Sequence, residues 1–191
     1  MIAGAAPKAD PRDGIILHVR DLRAFAMSLT RNHAAADDLV QDTIVKAWSK
    51  FDKFTPGTDL RAWMFTILRN TFYSGRRKVS REVADPEGIH VGSLSVLPQH
   101  DGTLAFGEFL RAFNQLSAEH REVLILVGAN GYSYEEAASM TGVAIGTAKS
   151  RASRARALLC ALMGMDAPTG NPVLAEASAL AVVFQSRLAV A

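Results

Sequence analysis

Basic side chains recur on one predicted helix near the end of the chain, and such a helix could bind DNA. Between Thr147 and Leu159 small or apolar residues return at every third or fourth position, which predicts a helix with one inward stripe. The opposite side carries Lys149, Arg151, Arg154 and Arg156. No acidic residue occurs between residues 137 and 165 to cancel that charge. Long cationic side chains in this pattern can reach phosphate oxygens or guanine edges.

The segment before the basic helix predicts a partner helix and a tight turn. Residues 135–140 have helical spacing, and Gly142 can adopt the backbone angles that an interhelical turn needs. Thr147 is a suitable N-cap for the second helix. Helix, turn and basic helix follow one another in the order of a DNA-binding helix-turn-helix. A solvated basic helix on a bundle that does not bind DNA is the alternative.

Charged residues of each sign are clustered in separate segments of this chain. Its 191 residues carry a formal net charge of only +2, so affinity for nucleic acid must come from patches. A second basic patch, without an acid, contains Arg69, Arg76, Arg77, Lys78 and Arg81. An acidic cluster precedes it and contains Asp37, Asp38 and Asp42. Patches of opposite sign indicate two kinds of partner.

Helical periodicity returns along most of the chain and strand alternation is almost absent, which predicts an all-α fold. Helices are predicted at residues 15–30, 34–51, 59–77, 105–116, 118–129, 133–140 and 147–163. The inward stripes include Ile16 and Trp48, and Asp37 and Asp38 are expected near the positive end of their helix. Prolines and glycines between residues 83 and 103 indicate a flexible linker. We therefore expect two small bundles, at 14–80 and 105–163, with a linker at 81–104 and a tail at 164–191.

The composition gives little support for catalysis, metal binding or membrane insertion. Cys160 is the only cysteine, which excludes an intramolecular disulfide. The five histidines are scattered without the spacing of a metal site, so no cofactor or metal is expected. No stretch approaches the roughly 20 apolar residues of a membrane helix, and the N-terminus lacks the apolar core of a secretory signal. The expected compartment is the cytoplasm, with no membrane partner.

Several longer motifs carry a resemblance to a known family. They are ADDLVQDTIVKAW at 36–48, LRAWMFTILRNTFYSGRRK at 60–78, LSAEHREVLILVGANGYSYEEAA at 116–138 and GTAKSRASRAR at 146–156. Together they resemble the extracytoplasmic-function (ECF) class of bacterial RNA polymerase sigma factors. Within that class the chain looks most similar to the general-stress subgroup of alphaproteobacteria.

The resemblance implies a function and a set of partners. The chain would bind core RNA polymerase, at the beta-prime coiled coil and the beta flap, and direct transcription initiation without being an enzyme itself. A small anti-sigma factor of the NepR type would sequester it. A stand-alone helix-turn-helix regulator is the alternative, and a sigma-like decoy segment of a stress regulator is a third hypothesis.

The resemblance also implies three groups of site residues. The surface for core polymerase would consist of Asp37, Asp38, Gln41 and Asp42. The residues that bind and open the minus-ten element would be Thr58, Arg69, Asn70, Arg76, Arg77 and Lys78. The residues that bind the minus-thirty-five element would be Thr147, Lys149, Ser150, Arg151, Ser153, Arg154 and Arg156.

Overall fold

The computed structural model describes residues 11–82 and 103–165, and all regular secondary structure in these ranges is helical. The α-helices are α1 (Gly14–Leu17), α2 (Val19–Thr30), α3 (His33–Ser49), α4 (Leu60–Glu82), α5 (Thr103–Gln115), α6 (Ala118–Val123), α7 (Tyr134–Thr141) and α8 (Ile145–Leu162). Short 3-10 turns occupy Pro11–Asp13 and Phe51–Lys53. The predicted all-α fold is confirmed. Residues 83–102 of the expected linker and residues 166–191 of the expected tail lie outside the described ranges.

The first module consists of α1–α4 packed around large apolar side chains. The rings of Phe25 and Phe65 lie 4.9 Å apart between centroids. Leu22, Met64 and Leu68 are completely buried beside them. The Asp59 side chain accepts hydrogen bonds from the backbone of Arg61 and Ala62, as expected of a helix N-cap, and it therefore fixes where α4 begins.

Two side chains that the helical pattern places inward are exposed. Ile16 is 73% exposed whereas Ile15 is buried, because the expected helix is broken at His18 and the turn α1 is rotated relative to α2. Trp48 is 49% exposed, since Ala47 takes the inward position near the end of α3. The Arg12 guanidinium lies 5.2 Å from the centre of the Trp48 ring. The predictions for Ile16 and Trp48 were wrong.

The second module consists of α5–α8, and its last two helices form the expected helix-turn-helix. The predicted inward residues of α8 are all buried: Ala148, Ala152, Ala155 and Leu159. Gly142 adopts φ +65°, in the left-handed region that favours glycine. The turn is shorter than predicted, because α8 begins at Ile145 with Ala144 as its N-cap. Thr147 therefore lies inside the helix and is not its cap.

The segment between α6 and α7 departs from a regular α-helix. Leu124–Ala129 forms a π-helical turn, and the Asn130 backbone N–H donates to the Ile125 carbonyl at 2.9 Å, which closes it. Most of its side chains are buried in the core. Gly131 then adopts φ +74° and directs the chain into α7. The wider turn changes the direction in which the residues on either side project.

The start of α7 has a reciprocal cap, and we expect Ser133→Ala to lower the free energy of unfolding by about 1 kcal/mol. The Ser133 hydroxyl accepts from the Glu136 backbone N–H, while the Glu136 carboxylate accepts from the Ser133 backbone N–H. Urea denaturation followed by circular dichroism would measure the change. Ser139→Ala, at an exposed site on the same helix, is the matched control. Equal loss in both variants would contradict the role of the cap.

Candidate functional site

The exposed face of α3 begins with acidic and polar residues. Asp38, Gln41 and Asp42 are exposed and lie at helical spacing on this face. Asp37 is only partly exposed and pairs with Arg23, with 2.7 Å between its Oδ1 and the arginine Nε. The hydrogen bond from Arg23 lowers the pKa of Asp37 below its ordinary value. Asp37 therefore already has an intramolecular partner, whereas Asp38 and Asp42 face solvent.

The first turn of α3 contains no acidic residue, contrary to expectation. The helix begins at His33 and the Asn32 side chain accepts from the Ala35 backbone N–H. Asp37 and Asp38 therefore lie beyond the first turn, where the field of the helix terminus is weak. A role in stabilising the helix start does not account for them.

An apolar strip continues the acidic face of α3 toward its C-terminus. Val45 is 66% exposed, and Trp48 follows it on the same face. Sequence reasoning missed this strip because it placed Trp48 in the core. Carboxylates beside exposed apolar side chains are suited to a protein interface, since charge sets orientation and apolar burial contributes affinity.

The basic patch of α4 is mostly exposed. Asn70, Arg76, Arg77 and Lys78 all lie on the surface. Thr58 is exposed in the loop before the helix, and its hydroxyl donates to the Thr55 carbonyl at 2.7 Å. Arg69 differs from the others because its side chain is only 18% exposed.

The outer surface of α8 presents short and long polar side chains together. Lys149, Ser153 and Arg154 are exposed, and Thr147, Ser150, Arg151 and Arg156 are partly buried. Arg156 donates to the Tyr134 hydroxyl at 2.9 Å, and Ser150 donates to the Thr147 carbonyl at 3.1 Å. The Lys149 ammonium is 3.9 Å from Glu135 with both groups largely solvated, so this pair adds little.

The two modules pack against each other, and a buried arginine lies at their contact. Arg121 of α6 is only 4% exposed. Its guanidinium donates to the Ser28 carbonyl at 2.5 Å and to the Leu29 carbonyl at 3.1 Å, at the C-terminal end of α2. It also donates to the Leu116 carbonyl in its own module. Burial lowers the pKa of Arg121 to about 10, so the side chain is still a cation at neutral pH.

A buried ion pair lies beside Arg121. Glu122 is 1% exposed, and its Oε1 is 2.7 Å from Nε of Arg69 in the first module. The Tyr73 hydroxyl donates to Oε2 of the same carboxylate at 3.4 Å. Arg69, a candidate for the minus-ten element, is therefore engaged by the second module in this arrangement.

A third group of contacts joins α4 to the segment before α7. Arg61 donates to the Asn130 side-chain oxygen and pairs with Asp21 at 2.7 Å within its own module. The Phe65 and Tyr132 rings meet edge to face at 6.2 Å. The boundary between the modules, which we call the module interface, thus combines aromatic contact with several hydrogen bonds from charged groups.

The module interface borders a cleft of about 460 Å³ that collects arginines from both predicted DNA-binding surfaces. It is lined by Arg69, Tyr73, Arg76 and Arg77 of α4, Glu119 of α6, Val143 and Arg151 of α8. Arg151 therefore faces the first module, while Arg154 faces solvent. Sequence reasoning expected separate surfaces, and it did not identify Arg121, Glu122 or Arg61. The local sequence pattern around these three residues does not reveal which groups of the other module lie opposite their side chains.

Across residues 11–82 and 103–165 no group of histidine, cysteine and acidic side chains could hold a metal ion. Among these same residues no helix is both long and apolar enough to cross a membrane.

Comparisons with known proteins identify the family. Residues 15–82 match the family Sigma-70 region 2, and residues 106–159 match the family Sigma-70, region 4. The chain is 50% identical over 155 residues to the ECF RNA polymerase sigma factor EcfG of Rhodopseudomonas palustris, covering 81% of this chain and 86% of that protein. The chain belongs to the ECF RNA polymerase sigma factors.

Two further proteins are similar over most of their length. The RNA polymerase sigma factor NccH of Alcaligenes xylosoxydans is 32% identical over 155 residues, which is 76% of this chain and 82% of that protein. The sigma factor RpoE of Bartonella quintana, solved in complex with the anti-sigma factor NepR, is 51% identical with a TM-score of 0.73. That match covers 81% of this chain and 97% of the solved one. As an ECF sigma factor the chain binds core RNA polymerase and directs promoter recognition.

Packing of the sigma factor's modules should depend on pH through Glu122. Burial raises the pKa of Glu122 from 4.5 to about 7, although Arg69 opposes the shift. The other charged or titratable groups facing it are Tyr73 of α4, Glu119 of α6 and Arg151 of α8. When the pKa of a carboxyl group is higher in the packed state, that state binds more protons at every pH between 4.5 and about 7. Packing is therefore favoured as pH falls from about 7 toward 4.5 and weakened as pH rises over the same range, with little further change above the raised pKa.

Fluorescence energy transfer would measure this dependence, using dyes at Lys53→Cys and Ala161→Cys in a Cys160→Ser background. We expect several-fold more of the packed form at pH 6 than at pH 8, and a flat profile in Glu122→Gln. An equal pH response in Glu122→Gln would show that another group titrates.

Proposed function

We infer that this ECF sigma factor serves a stress response and is controlled by a small anti-sigma factor of the NepR type. The observation that carries this proposal is the likeness to RpoE, since 97% of a chain solved with NepR aligns with this one at 51% identity. EcfG of Rhodopseudomonas palustris, at 50% identity, is a second similar protein. We propose that the chain acts in the cytoplasm, where the polymerase is, and that it performs no covalent chemistry itself.

We propose a division of labour between the modules. Residues 14–80 would bind polymerase and the minus-ten element, residues 105–163 would bind the minus-thirty-five element, residues 81–104 would join them, and residues 164–191 would form a tail. Supporting this division, the exposed acidic face of α3 lies in the first module and the exposed basic face of α8 lies in the second. A stand-alone helix-turn-helix regulator would leave the acidic face of α3 without a role.

In vitro transcription with purified core polymerase tests the proposal directly. The sigma factor should start RNA synthesis at stress-gene promoters, and an added NepR-type protein should suppress that synthesis in a concentration-dependent way. Transcription that is insensitive to every NepR-type protein of the source genome would refute the anti-sigma part alone. Absence of transcription at all promoters of that genome would refute the sigma-factor function.

We propose that the exposed face of α3 binds polymerase. Asp38, Gln41 and Asp42 would provide its charged or polar contacts, whereas Asp37 is already paired with Arg23. Asp42→Arg should weaken capture of core polymerase at least tenfold, since it reverses a charge beside the apolar strip. Pull-down with core polymerase would measure capture, with circular dichroism to check folding. Asp52→Arg, an exposed acid outside α3, is the control for net charge. Equal capture by both variants would remove Asp42 from the surface.

For the DNA-binding surfaces, we propose that Asn70 and Thr58 contact unpaired bases of the minus-ten element while Arg69, Arg76, Arg77 and Lys78 bind the backbone. In the second module we propose Arg154 and Ser153 as the central contacts of α8, because both are exposed on its outer surface. Thr147, Lys149, Ser150, Arg151 and Arg156 would flank them. Long basic side chains on either side of a helix can bind the phosphates that border the major groove.

Arg154→Ala should reduce initiation at promoters that have a minus-thirty-five element, by roughly 1–3 kcal/mol of binding free energy if the side chain pairs with a base. A library randomised in that element would also show relaxed preference at one position. Arg111→Ala, at an exposed arginine of α5, is the matched control. A uniform loss across the library with a smaller salt dependence would instead assign Arg154 to a phosphate.

A further inference from the structure

We propose that residues 173–188 dock on an exposed apolar strip at the end of α8 and shield Arg154, so that the second module binds duplex DNA weakly while they are docked. The strip consists of Leu158, Leu162 and Met165, and we call it the α8 strip. The inference rests on the proposed function for the role of Arg154, whereas the docking itself needs neither DNA nor polymerase. The match to Sigma-70, region 4 ends at residue 159, so most of the strip and the whole docking segment lie beyond it.

The α8 strip is both apolar and exposed. Leu158 is 47% exposed, Leu162 is 43% exposed and Met165 is 58% exposed. Leu158 and Leu162 are four residues apart and therefore lie on the same face of α8. The core of the second module is contacted by a different face of this helix, which carries Ala155 and Leu159. Grouped apolar side chains on an outer face typically mark a contact surface.

The backbone at the end of α8 directs the chain off the helix axis. Gly164 adopts φ +65°, in the left-handed region. Its N–H donates to the Ala161 carbonyl at 3.2 Å, and the Met165 N–H donates to the Cys160 carbonyl at 2.9 Å. These two hydrogen bonds form a Schellman motif, which ends a helix. The chain therefore leaves the axis of α8 at Met165, which is itself part of the strip.

The sequence that follows fits the strip in length and pattern. Two prolines and a glycine between residues 166 and 172 favour a turn, and these seven residues have a usual length for a connection between neighbouring helices. Apolar residues then recur at intervals of four, three, four and four, which is helical spacing: Val173, Ala177, Leu180, Phe184 and Leu188. Such a stripe needs an apolar surface to pack against, and the strip has the same spacing of four and three. Residues 173–188 are therefore an occupant whose pattern matches the strip.

A segment packed antiparallel on the strip also reaches the DNA-binding side of α8. Arg154 is exposed and lies four residues before Leu158, one turn further along the same face. The distance from Met165 back to Arg154 is about 16 Å at roughly 1.5 Å per residue, and residues 173–188 span about 24 Å in helical form. They are therefore long enough to cover the strip and reach Arg154. Covering this cation would reduce its access to phosphates and bases.

Amide hydrogen exchange of the full chain tests the docking without polymerase or DNA. We expect residues 173–188 to exchange at least tenfold more slowly than an unstructured peptide of the same sequence. Leu180→Asn, on the stripe, and Leu158→Asn, on the strip, should each remove most of this protection, because each places an amide in the apolar contact. Val182→Asn, on the opposite side of the stripe, and Ala157→Asn, at an exposed position of α8 outside the strip, are the matched controls. Circular dichroism checks the helix content of each variant.

Three outcomes of this exchange experiment would overturn the docking. The first is exchange at the unstructured rate in the unaltered chain, and the second is an equal effect of Leu180→Asn and Val182→Asn. The third is protection that Leu158→Asn leaves intact, because residues 173–188 would then contact another surface. Protection that grows with protein concentration would assign the strip to a second copy of the chain and would also contradict the proposal.

Fluorescence anisotropy with a labelled duplex that contains the minus-thirty-five element tests the shielding. Leu180→Asn and Leu158→Asn should bind the duplex several-fold more tightly than the unaltered chain, and the two control variants should bind it as the unaltered chain does. Unchanged affinity in variants that have lost protection would overturn the shielding of Arg154. If no variant binds the duplex, the proposed function of α8 fails, whereas the exchange result still decides whether the segment docks.

Discussion

The arrangement of this molecule depends on one buried cation and the carbonyl groups around it. Arg121 is almost completely buried from solvent, and its charge is stabilised by the carbonyl dipoles of Ser28, Leu29 and Leu116. Burying an unpaired charge is very costly unless its donors are satisfied. The end of α2 must therefore lie against α6 for the donors of Arg121 to be satisfied, and this requirement helps to fix the relation between the two modules.

The composition of the module interface is suited to reversible contact. Beside Arg121 its polar contacts include the Arg69–Glu122 ion pair and the Arg61–Asn130 hydrogen bond, and Phe65 meets Tyr132 where the apolar cores of the two modules adjoin. Buried ion pairs add little net stability because desolvation offsets attraction. Polar groups of this kind can also be solvated when the modules separate, whereas a large apolar interface would leave each module prone to aggregation. The directional polar contacts of the interface therefore specify one orientation of the two modules.

Most features set by neighbouring residues were predictable from the sequence, although Thr147 is not the cap of α8, and features set by distant residues were not. The alanine stripe of α8, the turn at Gly142 and the Asp59 cap follow from local spacing and propensity, and the structure contains them. Trp48 has the spacing of a core residue, yet Ala47 takes that place and the ring packs against Arg12. Arg121 and Glu122 stand just before an apolar run, but only the fold shows that α2 and α4 lie opposite them.

The difference between local and distant determinants also explains why some predicted site residues face solvent and others face the cleft. Asp38, Asp42, Asn70 and Arg154 are exposed because they lie on outer faces of helices, which spacing predicts well. Arg69 and Arg151 lie on helices of the same kind but turn toward the cleft, because the other module approaches them there. With a net charge of only +2, the chain depends on local clusters of basic residues for its positive potential. When the modules pack, several of the arginines in these clusters are buried or brought together in one cleft, which changes the charge that the molecule presents to DNA. Module packing and DNA affinity are therefore physically coupled.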